Sequence, residues 1–224
     1  MLIEEPKDWK EILKLAEFFL QSANISEWTL GGGTALMLHY KHRLSRDIDI
    51  FFNNAQFITL LTPRLNDKVE KYVSDYDEQS NYLKLKFKES EIDFIVAPNL
   101  TGIKPLAMDI DGIAVRIDVP VEIVLKKMFY RPENLKVRDI FDLATVLKYD
   151  KESMFKCSDI IKGKFDLIQD RVEAITKTYI DGVCKLDILD LSLRANAPDV
   201  VKSFLTEIRK LLDKNSEMGN PKLI

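Results

Sequence analysis

Apolar positions recur at three- and four-residue steps through Trp9, Ile12, Leu13, Ala16 and Phe19, which predicts an amphipathic helix. Asp8 and Glu11 read as a capping pair at its start. "EWTL" reads as a short strand running into Gly31-Gly32-Gly33, "TALMLHY" as a short helix, "KHRLSR" as a loop and "DIDIFF" as a strand. A helix is expected across Phe57 to Tyr72. "NYLKLKFK" alternates apolar and basic residues and predicts a half-exposed strand. "EIDFIVAP" and "GIAVRIDVP" are two more strands, ended by Pro98 and Pro120. "VEIVLKKMFY" and "VRDIFDLATVLKY" show helical spacing. Beyond about Asp150 no strand is evident. Phe165, Ile168, Val172, Ile175 and Tyr179 form one helical stripe, and Val201, Phe204, Leu205, Ile208 and Leu211 another. Pro198 lies in the first-turn region of the second, where proline is tolerated, and "DGVC" at 181–184 reads as a turn. The fold class is therefore α+β, with residues 1–150 as one domain and a helical domain over 151–224.

Composition narrows this picture. The chain has 224 residues, 46% of them hydrophobic, 31% charged, with a net charge of −3. That describes a globular protein with a core, not a disordered tail. Near-balanced charge removes global basicity as an argument for nucleic acid, so an RNA partner needs a local basic patch. Cys157 and Cys184 fit no metal or redox spacing and read as thiols in a reducing cytosol. No apolar run is long enough to span a membrane. The N-terminal stretch is acidic where an export signal is basic, so a cytoplasmic location is expected.

The chemistry starts at "DIDIFF". Side chains two apart in a strand share a face, so Asp47 and Asp49 project together while Ile48 and Ile50 point to the core. Two carboxylates this close repel unless a cation lies between them; Mg²⁺ or Mn²⁺ is the simplest. The pair alone also describes a solvated strand edge. The glycines tip the balance. Gly31 to Gly33 precede a helix start with Thr34 in its first turn, and exposed amides there favour phosphate. A glycine turn and a carboxylate pair joined by one short helix suit nucleotidyl transfer, in which two metals about 4 Å apart bridge the phosphates. Asp93, flanked by Ile92 and Phe94, is a candidate third carboxylate; alternatively Glu91 and Asp93 simply face water.

"GGGTALMLHYKHRLSRDIDIFF" resembles the G-G-T-A-L…H-R-x-S-x-D-[IL]-D-[LI]-F signature of the AbiEii/AbiGii toxin family of nucleotidyltransferases, within the DNA polymerase β-like superfamily. The match covers Gly32, Gly33, Thr34, Ala35, Leu36, His42, Arg43, Ser45, Asp47, Asp49 and Phe51. "EIVLKKMFYRPENLKVRDIFDL" is similar to the family's second segment and supplies Glu122, Ile123, Lys127, Arg138, Asp139, Asp142 and Leu143. "EIDFIV" resembles its third-carboxylate strand. One departure is Lys41, where the family usually has Gly before the His-Arg pair. The resemblance spans roughly residues 28–148.

The resemblance implies a polymerase β-like domain with a short mixed sheet and flanking helices, followed by a C-terminal helical bundle. It implies the toxin of a toxin–antitoxin or phage-defence system that uses NTP and Mg²⁺, with some members similar to enzymes that add nucleotides to the tRNA 3′ end. A cognate antitoxin encoded beside the toxin is the usual partner. On this reading Asp47, Asp49 and Asp93 bind metal, with Asp93 the alternative base for the attacking hydroxyl. Gly32, Gly33 and Thr34 contact the triphosphate, and Ser45 touches phosphate or caps the loop. Arg43 and Arg46 neutralise developing charge, or are solvated loop residues. Lys127, or its neighbour Lys126, pairs with the triphosphate. Asp142 orients Lys127 or the base, or forms a helix ion pair with Arg138; Asp139 anchors Arg138 or Arg131. His39 and His42 lack a third zinc ligand nearby. Lys84, Lys86 and Lys88, with Lys126, Lys127, Arg131, Lys136 and Arg138, could line an RNA groove; alternatively the three strand lysines protect a solvated edge. Competing functions are transfer to a protein or small-molecule hydroxyl, or a nucleotide-binding module without catalysis.

Overall fold

Asp8 caps the first helix, accepting from the amides of Lys10 and Glu11, in a computed structural model that describes residues 8–218. The acidic residues Glu4 and Glu5 lie outside the described residues. That helix, α1 (Trp9–Ser22), buries Ile12, Leu13, Ala16, Phe19 and Leu20, the stripe its spacing predicts. Then follow β1 (Thr29–Gly31), α2 (Gly32–Tyr40) and β2 (Ile48–Phe52). Next come α3 (Gln56–Leu61), α4 (Asp67–Glu70), β3 (Asp75–Glu78), β4 (Tyr82–Lys86) and β5 (Glu91–Val96). After β6 (Leu106–Ile110) and β7 (Ile113–Ile117) the described chain is helical: α5 (Pro120–Tyr130), α6 (Val137–Lys156), α7 (Phe165–Thr176), α8 (Tyr179–Val183) and α9 (Ala197–Met218).

Among the described residues, seven strands form one mixed sheet in the order β3-β4-β5-β2-β1-β7-β6. β2 runs parallel to β5 and β1 parallel to β7; the other pairs are antiparallel. Alternation decides which face is which. Ile48, Ile50 and Phe52 on β2, Leu83 and Leu85 on β4, and Ile92 and Phe94 on β5 are buried, and α1 packs against β2 and β5. The intervening residues, Asp49, Lys84 and Asp93 among them, take the opposite face.

The structure corrects four local expectations. The helix expected over 57–72 is two short helices, because Pro63 drives Thr62 into extended backbone (φ −62°, ψ 132°). Asn66 then restarts the chain as α4, accepting from the amides of Lys68 and Val69. The helix after the glycines begins at Gly32 itself, not beyond Gly33. "DGVC" is no turn: Asp181 to Val183 are helical, and a Cβ on Gly182 would meet Val137 Cγ2 at 2.6 Å, so close helix approach explains the glycine. Strands β3 and β6, unread in the sequence, are the two sheet edges.

The chain divides into two compact units, one ending at Ile123 and one starting at Val124. The first holds the sheet and α1–α4. In the second, α6 packs with α8 and α9, and α7 with α9, around Phe141, Phe165, Ile168, Val172, Phe204 and Ile208. The boundary expected at 150 falls inside α6, where Asp150 (φ −146°, ψ 52°) marks a kink; the part of α6 before the kink belongs with the helices that follow it. No helix among the described residues is long and apolar enough to cross a membrane.

Candidate functional site

One cross-strand rung carries the chemistry of the first unit. Gly31 on β1 pairs with Asp49 on β2, Asp49 with Asp93 on β5, and Asp93 with Lys84 on β4. Register partners on neighbouring strands share a face and lie side by side. The sheet thus sets glycine, carboxylate, carboxylate and ammonium in a row, at the point where β1 runs into α2.

The start of α2 is shaped around this row. Gly32 has φ +65°, and a Cβ there would overlap the Asp49 carboxylate. A Cβ on Gly33 would meet Arg43 Nη2 and Ser45 Oγ, each at 2.7 Å. Glycine is therefore required where the backbone meets the functional side chains, and Arg43 and Ser45 converge on the first turn of α2. By helix geometry the amides of that turn have no intrahelical acceptor. Thr34 is fully buried and its hydroxyl donates to the Asp47 carbonyl at 2.6 Å, which ties α2 to the entry of β2. Its side chain thus braces the strand. Asp47 Oδ1 accepts from the Glu91 amide at 3.3 Å, linking the entries of β2 and β5.

The charges respond to this crowding. Burial, and after it the Asp49 carboxylate, push Asp93 up to about 6, while Lys84 pulls it down. Lys84 Nζ lies 2.9 Å from Asp93 Oδ1 and 3.0 Å from Oδ2, and also donates to Glu91. Burial lowers the Lys84 ammonium, but its bonds to Glu91 and Asp93 outweigh burial and hold it above the ordinary lysine range. Among the described residues, no group of three acid, His or Cys side chains converges as a metal-ligand set. Two observations nevertheless fit a hard cation. Asp49 and Asp93 are adjacent carboxylates whose repulsion raises Asp93, and an ammonium already stands in at both Asp93 oxygens.

Other expected residues resolve differently. Lys84 and Lys86 do not offer a cation stripe to RNA: Lys84 is bound to Glu91 and Asp93, and Lys86 Nζ to Asp75 at 2.7 Å. Nor is β4 an edge, since β3 covers it. Arg46 makes a loose, exposed pair with Glu89 at 3.9 Å. His39 Nε2 lies 3.0 Å from the Asp118 carbonyl, and burial lowers its pKa. Glu122 is buried and accepts from the amides of Leu100 and Thr101 at 2.9 Å each, so it anchors the loop after β5. Lys41 has φ +50° at the end of α2, a left-handed position where glycine costs least.

In the second unit, Lys127 Nζ bonds Asp142 Oδ2 at 2.6 Å and Asp139 Oδ1 at 3.0 Å. Arg131 reaches Asp139 at 3.0 Å, and Asp139 Oδ2 also accepts from the Lys136 amide at 2.8 Å. Burial pushes Asp139 up, but Lys127 and Arg131 outweigh it and hold the carboxyl below the usual range. Burial and Asp142 push the Tyr179 phenol up. Sequence reasoning missed Lys84 as a site residue, although its alternation with Leu83 and Leu85 puts it on the Asp93 face, and it missed the buried Asp118. A Cβ on Gly31 would meet Asp118 Oδ2 at 3.3 Å; the signal was a carboxylate ending an apolar strand.

Comparison with known proteins agrees with this geometry. The family model described as Nucleotidyl transferase AbiEii toxin, Type IV TA system, matches residues 14–212. No curated protein matches by sequence. Two solved structures share the fold. JHP933 from Helicobacter pylori has a TM-score of 0.53 at 17% identity, covering 96% of this chain and 97% of its own. A candidate nucleotidyltransferase from H. pylori has a TM-score of 0.52 at 18% identity, covering 90% and 95%.

Proposed function

This chain belongs to the family of nucleotidyl transferase AbiEii toxins of type IV toxin–antitoxin systems, and on that premise we propose that it transfers a nucleotidyl group from NTP to an RNA hydroxyl such as the tRNA 3′ end. The observation that carries this reading is the rung from Gly31 through Asp49 to Asp93, which sets the first turn of α2 beside paired carboxylates. First-turn amides at Gly32, Gly33 and Thr34 receive phosphate oxygens, with the Arg43 guanidinium and the Ser45 hydroxyl beside Gly33. Asp47, Asp49 and Asp93 hold Mg²⁺ or Mn²⁺, which would neutralise the phosphates and lower the barrier to attack. The acceptor oxygen bonds to the α-phosphorus, the bond from that phosphorus to the β-phosphate bridging oxygen breaks, and pyrophosphate leaves. The acceptor proton passes to the Asp93 carboxylate, whose raised pKa suits a base. Lys127 and Asp142 enter as functional residues through the family resemblance; Asp142 orients the ammonium of Lys127. An antitoxin encoded beside the toxin is the partner proposed on the same ground.

The pairing of Lys84 and Lys86 favours a second reading, in which a protein or small molecule supplies the hydroxyl. Purified protein is incubated with total tRNA, Mg²⁺ and each α-³²P-labelled NTP in turn, beside Asp49→Ala. Label on tRNA from the native protein alone supports the RNA reading and names the base. NTP binding without label on tRNA sinks it and moves the acceptor to a protein or small molecule.

A further inference from the structure

The sheet gives Asp93 a permanent neighbour of opposite charge. Lys84 is its direct partner across β4 and β5, and the ammonium spans both carboxylate oxygens at 2.9 and 3.0 Å. These are the oxygens a divalent ion would use. Glu91, two residues before Asp93 on the same face, binds the same ammonium and is the more exposed acid, at 39% against 23%. Lys84 can therefore leave Asp93 without losing every partner.

We propose that Lys84 is a tethered cation that holds the third-carboxylate position in the metal-free protein and competes with a divalent ion for Asp93, with Glu91 as its parking place. The inference rests on the metal-dependent reading above. Without Lys84, the Asp49 and Asp93 carboxylates would face each other with no cation bonded to Asp93, a repulsive arrangement in a partly dry site. With it, a divalent ion must displace an ammonium to gain Asp93 as a ligand. The first ion is then held by Asp47 and Asp49, and Asp93 joins only when the incoming charge outcompetes Lys84. Bound triphosphate supplies that bias, because its negative charge favours both a further metal ion and the release of Lys84 toward phosphate or Glu91. Lys84 is thus a positioning residue that links metal loading to nucleotide occupancy.

The test is Mn²⁺ alone, titrated into the intact protein and followed by the electron paramagnetic resonance signal of free Mn²⁺. Lys84→Met should bind Mn²⁺ about tenfold more tightly than the native chain, the change expected from removing one competing charge. Glu91→Gln should shift affinity the other way, because Lys84 then has only Asp93. A merely structural lysine would not give opposite shifts. Asp49→Asn controls for the site itself. Equal affinity for the native chain and Lys84→Met, with binding lost in Asp49→Asn, overturns the inference and leaves the metal reading standing. Binding that Asp49→Asn does not reduce, or no binding by the native chain, removes both. If Lys84→Met fails to fold, Glu91→Gln decides: tighter or unchanged binding overturns the proposal.

Discussion

Gly32 and Asp49 occupy nearly the same space: a methyl group on Gly32 would overlap the Asp49 carboxylate, and the residue already sits at φ +65°. Gly32→Ala should therefore cost more than backbone strain alone. Gly112 has φ +86° with nothing within 4 Å of its Cβ position, so Gly112→Ala isolates the strain, roughly 1 kcal/mol. We expect Gly32→Ala to lose at least about 2 kcal/mol and nucleotidyl transfer to fall with it, because Asp49 must move. Urea unfolding of both variants checks the difference. Equal losses would show that the carboxylate yields freely.

Lys41 makes the converse case. It ends α2 at φ +50°, with its amide donating to the Met37 carbonyl at 2.8 Å, where the family resemblance places glycine. Lys41→Gly should raise stability by roughly 0.5–1 kcal/mol, read as an increase in Tm with transfer activity unchanged. A lower Tm would mean that the lysine stem contributes more than the strain costs.

Asp93 predicts a pH dependence with a definite sign. Its folded pKa, about 6, lies above the ordinary 3.8. The folded state thus binds the proton more tightly, and this contribution is fully present below the ordinary value and lost as pH rises through about 6. Near neutral pH the ionised carboxylate is a liability of at most about 3 kcal/mol. Asp93→Asn should melt higher than the native chain near neutral pH without metal, and the gap should close toward about pH 4. Transfer should be abolished throughout. Parallel melting curves across that range would refute the assignment.

The Lys127 cluster should behave oppositely. Asp139 and Asp142 are almost fully buried, so Lys127→Met leaves two carboxylates short of a partner at a cost of about 3–5 kcal/mol. Asp139 is held below the usual range by Lys127 and Arg131, once their pull has overcome burial. That contribution is present above the ordinary carboxylate pKa and is lost as pH falls through the depressed one. The deficit in Lys127→Met should therefore be largest near neutral pH and narrow in acid, as measured by urea unfolding at both.

What the sequence disclosed depended on burial. Ile48-Asp49-Ile50 and Ile92-Asp93-Phe94 alternate because one face is core, so both strands were legible, as was the stripe of α1 behind its Asp8 cap. β3 and β6 were not. "DYDE" and "LAMDI" are sheet edges with little core to alternate against, exposed at Asp75, Tyr76 and Leu106 to Asp109. Pro63 was visible, yet the apolar spacing on both sides of it outweighed the break. The carboxylates could be read as a set because period two fixes which face each takes. Lys84 could not be assigned to Asp93, because strand neighbours are set by tertiary pairing across β4 and β5, and lysines on an alternating strand look alike in one dimension. Glu122 read as part of a functional segment, but its two amide bonds to the loop after β5 depend on a turn that no local pattern announces.

The acid row also bears on how the sheet finds its alignment. If β5 slid by one residue against β2, Asp93 would turn into the hydrophobic interior and Ile92 out to water. An unpartnered carboxylate in that interior is a heavy cost, whereas an Ile-for-Val exchange between two apolar faces would be a mild one. Asp49 imposes the same condition on β1, since a shifted β2 would bring a different side chain against Gly32. The residues assigned here to chemistry therefore also discriminate against misaligned sheets during folding. Replacing them with alanine would remove that discrimination together with the activity, so a variant that folds slowly or to mixed registers is to be distinguished from one that has lost only its catalyst.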